Sequence, residues 1–380
     1  MSTPIAFGRL DDSSRARAIA LASCTLLQHT RLRDLLAQQS VDAAYDMIVS
    51  RSLPRPEAIF RSVKTPAGEL LRQAAIELAS IDLDEALERT MAIGDVVVIG
   101  EPHYPPTLLE LEVPPAVLFH RGPLDALTNR TVTIVGTRRA TALGRTIASD
   151  MALTVAAAGV SVVSGLAAGI DTAAHAGALE AGGTRPVAVV GTGLDVPYPR
   201  SSARVWAQVA ADGLIMSQYP PGSQPLHWRF PERNRILAAL GEICVVVESH
   251  VAGGSMITVR VADDLGRTIC AVPGSVRSPA SEGPNKLLVD GCTPVRDGDD
   301  VLTVLRLESM GQLPFDTRTR PDGLAADVLA QLGVQSHDLG SLVEAVECDP
   351  IALARTLGWL EAAGWITVDR GWFDLRARSR

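Results

Sequence analysis

Four stretches of the 380-residue chain combine residues able to hold an anion. In VGTRRATALG (135–144), Arg138 and Arg139, with Arg145 just beyond, give three positive charges and no acid between Gly136 and Arg145. They stand directly ahead of an expected helix start, whose unpaired N–H groups and positive end favour negative charge. A solvated basic turn is the plainer reading of the same residues. In VVSGLAAGIDTAAHAGALEAGG (162–183), Ser164, Gly165 and Gly169 surround a strand–bend–helix turn, where glycine permits close approach or positive φ. The turn lacks G-x-G-x-x-G and has no P-loop lysine. Asp171 stands at an N-cap position with His175 four residues on, which fits an acid–base pair or a cap with a local contact.

The third stretch, PLHWRFPERNRILAAL (225–240), sets Arg229, Arg233 and Arg235 around a single Glu232, with Trp228 and Phe230 interleaved. Guanidinium groups that track phosphates and rings that stack on bases are the signature of single-strand binding, although a structural aromatic cluster has the same composition. On a helix, Arg233 and Arg235 diverge by about 200°, so one faces a ligand and the other braces the sheet. The fourth, ESHVAGGSMIT (248–258), repeats the strand–glycine–helix logic, with Gly254 at the turn and Ser255 and Thr258 as caps or phosphate contacts.

Other chemistries find no support in the sequence. A G-x-S-x-G elbow is absent, the seven histidines form no H-x-x-x-H or H-E-x-x-H array, and the five cysteines are scattered without metal-ligand spacing. No metal or cofactor is expected. The odd cysteine count argues against a disulfide framework, and a cytoplasmic location is expected. The N-terminus has no apolar signal region. A formal charge of -8 excludes a uniformly basic nucleic-acid binder while leaving room for a local patch. The uncharged run Met151–Ile170 is long enough to span a membrane, but its glycines and serines and its β-branched second half read as helix, turn and buried strand.

The elements that must position these loops follow the same logic. From Thr131, β-branched runs at 131–136, 160–165, 186–191, 214–218, 242–249 and 268–274 alternate with helical stretches, the pattern of an α/β, Rossmann-like doubly wound parallel sheet. Residues 111–120 read as an edge strand entering this core, whose extent is taken as 96–307. Residues 1–95 read as a small helical domain of the SAM-like kind and 308–321 as a linker. Residues 322–380 read as a winged helix of three helices and a β-ribbon turning at Asp369 to Gly371. Between 322 and 374 that segment has nine acids against two arginines, which favours protein contact over phosphate binding.

In combination, VGTR, SGLAAGIDTAAH, GTGLDVPYP, FPERNR, GGSMIT, AVPG and EGPNKLLVDG, in this order from about Tyr104 to Val301, resemble the DNA-processing protein A (DprA, or Smf) family of bacterial natural transformation. The resemblance implies a single-stranded-DNA-binding recombination mediator without a catalytic step, which protects the strand and helps load a RecA-type recombinase. It further implies a homodimer formed through the Rossmann core. By motif, Arg138, the Ser164–Gly165 turn, Phe230, Arg233, Asn234, Arg235 and Ser255 would meet the strand. A rival of another class is a LOG-like enzyme that cleaves nucleoside monophosphates on a similar core. Its P-G-G-x-G-T motif is followed by glutamates, whereas GGSMIT is followed by Asp263 and Asp264.

Overall fold

Valine and isoleucine runs without polar interruption are satisfied only where both faces of a strand are covered. A computed structural model of the chain describes residues 8–27, 30–61, 64–311, 321, 323–332, 337–346, 348–362, 365–369 and 371–375. Among them, nine strands form one sheet: β1 (Asp95–Val98), β2 (Val117–Arg121), β3 (Thr131–Val135), β4 (Ser161–Ser164), β5 (Val187–Val189), β6 (Leu214–Ser217), β7 (Ile243–Val246), β8 (Thr268–Ala271) and β9 (Thr293–Pro294). Their spatial order is β1-β2-β6-β5-β4-β3-β7-β8-β9. From β6 to β9 every pairing is parallel, whereas β2 runs antiparallel to both β1 and β6.

Alternate residues of the central strands feed two separate cores, as the period of two requires. Val132, Ile134, Val162, Ile243 and Val245 enter one, and Val135, Val163, Cys244 and Val246 the other. The first core is closed by α7 (Ala142–Ala157), α8 (Ile170–Ala181) and the start of α13 (Gly298–Gly311). The second is closed by α10 (Arg229–Leu240), α11 (Ser255–Asp264) and α12 (Glu282–Val289), with α9 (Ala203–Asp212) packed through Trp206 and Val209. Helices on both faces make the sheet doubly wound.

Ahead of the sheet lie α1 (Asp12–Ser23), α2 (Thr30–Leu36), α3 (Val41–Val49), α4 (Pro56–Ile59), α5 (Ala67–Ala79) and α6 (Leu83–Ile93). Their apolar faces join the second core, and they belong with the sheet to one compact unit, Met1–Glu308. Two expectations are corrected here. The strand within 111–120 is not at the edge, because Val96 to Val98 carry the same β-branched signal and add β1 outside β2. The linker does not begin at residue 308, because α13 continues to Gly311; residues 312–320 lie outside those described.

The second unit, Ser309–Arg380, contains α14 (Gly323–Leu332), β10 (His337–Asp338), α15 (Leu339–Val346), α16 (Pro350–Ala362), β11 (Ile366–Asp369) and β12 (Trp372–Leu375). Leucines at helical spacing, Leu332, Leu342, Leu353, Leu357 and Leu360 among them, meet Val328 and Ile366 in its own core. The strands form an antiparallel sheet in the order β10-β12-β11. Arg370, inside the expected β-ribbon turn, lies outside the described residues.

Candidate functional site

The chain leaves β3 through β4, β5 and β6 in one direction and builds β7, β8 and β9 in the other. Loops that follow the adjacent strands β3 and β7 therefore part at the carboxyl edge, where open α/β sheets bind ligands. A crevice of about 520 Å³ opens there, lined by Gly136 to Arg139 after β3, Ala167 and Asp171 after β4, Phe230, Arg233 and Asn234 of α10, and Gly253 to Ser255 at the start of α11. Glu248 ties two of these segments together. Its carbonyl accepts from Thr137 N at 2.6 Å, and its carboxylate accepts from Thr141 N and Oγ1 at 2.8 and 2.6 Å. Thr141 in turn caps α7 through Gly144 N.

The rim is cationic and aromatic. Arg138 and Arg139 are exposed, and the Arg138 guanidinium lies 4.8 Å from the centroid of the half-buried Phe230 ring. Tyr198 also abuts Phe230, its ring 5.4 Å from that of Phe230 and tilted by 33°. A recess of about 140 Å³ lies behind the pair, between Gly165, Gly191, Tyr198 and Phe230. Asp171 is the one acid lining the crevice, and it is buried.

Beneath the rim sits a buried charge pair. Arg233 is 3% exposed, and its Nη1 donates to the Val189 carbonyl at 2.6 Å. Burial pushes the Asp171 carboxyl up to about 6, against the pull of Arg233, and lowers Arg233 to about 10, so both are charged at neutral pH. Gly165 makes room for the pair: a Cβ there would overlap the Arg233 guanidinium and come within 2.6 Å of Asp171 Oδ2. Gly169, with φ +85°, lets the start of α8 pass the backbone of the β3 loop, where a Cβ would lie 2.9 Å from the Arg138 carbonyl oxygen.

The structure thus brings Arg138, Arg139, Gly165, Gly169, Phe230, Arg233, Asn234, Gly254 and Ser255 to one place. Asn234 Nδ2 donates to the Gly254 carbonyl at 3.1 Å, and the Ser249 and Ser255 hydroxyls share a hydrogen bond at 2.7 Å. Two residues are not brought there. Ser164 ends a strand buried on both faces, and its Oγ donates to the Ile134 carbonyl at 2.6 Å without any exposure. Arg235 projects from the other side of α10, where it donates to the Val113 carbonyl at 2.8 Å and pairs with Glu232 at 3.1 Å. Of the two diverging arginines, Arg233 turns in beneath the crevice and bonds the end of β5, and Arg235 braces the segment ahead of β2.

His227 and His250 also line the crevice. Both lie inside stretches already singled out, and interleaving with arginine and glycine was the available signal. Asp171 does not cap α8: Gly169 is the capping residue and Asp171 is the second residue of the helix. His175 is buried one turn on, with neither ring nitrogen in hydrogen-bond geometry with a described partner. Burial lowers its pKa to about 4, below the unfolded value near 6.5.

These two groups pull stability in opposite directions with pH. Between about 4 and 6.5 the unfolded chain binds the His175 proton that the native chain refuses, so this contribution rises with pH. Over nearly the same window the native chain keeps the Asp171 proton longer than the unfolded chain, so that contribution falls. His175→Gln removes the rising part alone. Its urea midpoint, relative to the parent, is therefore expected to be more favourable at pH 4.5 than at pH 6.5; a difference independent of pH would refute this.

Comparison with known proteins places this arrangement. Residues 95–306 match the family model described as DNA recombination-mediator protein A. The chain is 40% identical over 275 residues to a putative DNA processing protein DprA of Mycobacterium tuberculosis, covering 69% of each. The solved DNA processing protein A of Streptococcus pneumoniae superposes with a TM-score of 0.64 at 32% identity, over 78% of this chain and 98% of that one. The Helicobacter pylori protein of the same name, solved for its single-stranded DNA binding mode, gives 0.50 at 28% identity, over 54% of this chain and 94% of that one.

Proposed function

The chain belongs to the DNA recombination-mediator protein A family, and from that premise we propose that its crevice binds single-stranded DNA, shields the strand and presents it to a RecA-type recombinase. The observation that carries this reading is the Arg138–Phe230 pair at the mouth of the crevice. A guanidinium held against a ring offers a phosphate contact and a stacking face side by side, which is what an unpaired strand presents in alternation. The start of α11 adds a positive helix end to the same wall. The related protein of Helicobacter pylori, which binds single-stranded DNA, supports the assignment.

We read the site as one of binding and not of bond cleavage. Hydrolysis of a nucleotide needs a carboxylate free to act on substrate or water. Asp171 is buried beneath the rim in the field of Arg233, while Asp263 and Asp264 are exposed at the far end of α11. The same proposal includes a homodimer through the sheet domain and a cytoplasmic location. It also divides the chain into a helical segment 1–95, a core from residue 96 through α13, and a winged helix 322–380 that contacts protein. Among the described residues, no helix is long and apolar enough to cross a membrane.

Anisotropy of a labelled oligo-dT over a salt series tests the reading. Arg138→Ala is expected to weaken binding and to reduce the slope of log K against log salt by about 0.7, the share of one phosphate on a single strand. Arg235→Ala is expected to leave the slope unchanged. Duplex of equal length and AMP should compete poorly. Displacement of the oligonucleotide by AMP, or a slope insensitive to Arg138, would overturn the proposal.

A further inference from the structure

Among the described residues three arginines are buried, Arg15, Arg229 and Arg233. Two of them have carboxylates: Arg15 pairs with Asp95 at 3.1 Å, and Arg233 lies in the field of Asp171. Arg229, one turn ahead of Arg233 on α10, has none. It lines a separate cavity of about 220 Å³ between the helical segment and the sheet. We propose that this cavity binds a small organic anion, a carboxylate or phosphate on a short apolar body, held by the Arg229 guanidinium.

The cavity shares no lining residue with the crevice or with the recess behind Phe230. Ser23 at the end of α1, Leu32 of α2, Pro115 ahead of β2 and Ser223 after β6 contribute to its walls, and no acid lines it. Glu77 approaches the wall at Thr25, but it spends its carboxylate there, accepting from Thr25 N and Oγ1 at 2.7 and 3.0 Å.

Arg229 is 9% exposed. Its Nη1 donates to the Gln224 carbonyl at 2.8 Å, its Nε is enclosed with no partner, and its Nη2 makes no hydrogen bond among the described residues. The rings of Tyr219 and Trp228 have their centroids 4.4 and 5.3 Å from the guanidinium carbon. They offset part of the loss of water but bring no negative charge to the cation. Burial pulls the Arg229 pKa below its usual value, and no carboxylate opposes the pull. Gln218 Nε2 holds the Tyr219 ring in place by donating to its hydroxyl at 2.9 Å. A guanidinium so placed lacks the oxyanion that its donors match. Leu32 and Pro115 give the cavity an apolar side, and a volume below the roughly 300–1,000 Å³ of drug-sized sites limits the occupant to a small body around the charge.

The test follows thermal unfolding of the full chain with benzoate or phenyl phosphate, each exchanged against chloride at fixed ionic strength. At saturation Tm is expected to rise by about 3 °C. Arg229→Gln should lower the affinity at least about tenfold, whereas the crevice variant Arg138→Ala should respond like the parent. Ser223→Asp supplies a carboxylate from the cavity wall and keeps the backbone bonds of that residue to Pro220 and Gly193. It is expected to raise Tm of the free chain and to abolish the response, and it carries the test where Arg229→Gln does not fold. The ligand with the larger rise identifies the anion as carboxylate or phosphate. No rise with either ligand, a response kept in Arg229→Gln or lost in Arg138→Ala, or a fall in Tm with Ser223→Asp overturns the proposal.

Discussion

Gly165→Ala is expected to lower folding stability by about 3 kcal/mol and to remove most single-strand affinity. The position has no spare volume: the new methyl would overlap the Arg233 guanidinium and reach within 2.6 Å of Asp171 Oδ2. Arg233 cannot yield cheaply, because it is buried, bound to the Val189 carbonyl and favoured in its charged form by the nearby Asp171. Separating a buried pair leaves two uncompensated charges, the costly outcome for ions out of water. The displaced guanidinium would then push up beneath Arg138 and Phe230, which border the same recess. A matched control is available in Gly254→Ala, where φ is -61° and no atom lies within 4 Å of the added Cβ. That change should stay within about 0.5 kcal/mol. Urea midpoints of the two variants decide the matter; equal midpoints would show that the pair can relax around the methyl.

Phe230→Ala is expected to weaken oligo-dT binding by about 10- to 100-fold without altering the salt slope. Stacking of a base on an aromatic ring contributes about 1–3 kcal/mol, and the substitution also removes the platform that orients Arg138. No charge is lost, so the number of displaced counterions is unchanged. Phe230→Tyr keeps the π face and should retain most of the affinity. A parallel fall in slope would mean that Phe230 acts only by positioning Arg138, and equal binding by the alanine variant would exclude stacking at this ring.

The fold was legible where burial imposes composition. β3, β4, β5, β6 and β7 are buried at every residue, and each is a largely apolar run visible in the sequence. β1 carries the same signal at Val96 to Val98 and was equally available, but its antiparallel place outside β2 depends on a partner that no local pattern names. Ser164 illustrates a finer limit. It is the last residue of a strand whose two faces are both covered, so its hydroxyl turns to a neighbouring strand, and only the backbone beyond it reaches the crevice. Helical period predicted that Arg233 and Arg235 diverge, but not which would go inward. That choice is made by the Val113 carbonyl and by the room left at Gly165, more than fifty residues away along the chain in either case. The histidines of the rim were legible as residues and not as contacts, since nothing local brings His227 and His250 to one crevice.

The order of strands has a consequence for how the activity comes into being. One wall of the crevice is made from residues 136–171 and the other from residues 227–258, and the second is complete only when β7 docks against β3 and α11 follows it. Pairing over such a separation forms late and slowly, because chain entropy is spent before the contact returns anything. A nascent chain still short of residue 243 displays Arg138, Arg139 and Phe230 but lacks Gly253 to Ser255 and the start of α11. The groove is thus completed only with the second half of the sheet, and a ribosome-bound or truncated copy offers part of it where the finished molecule offers the whole.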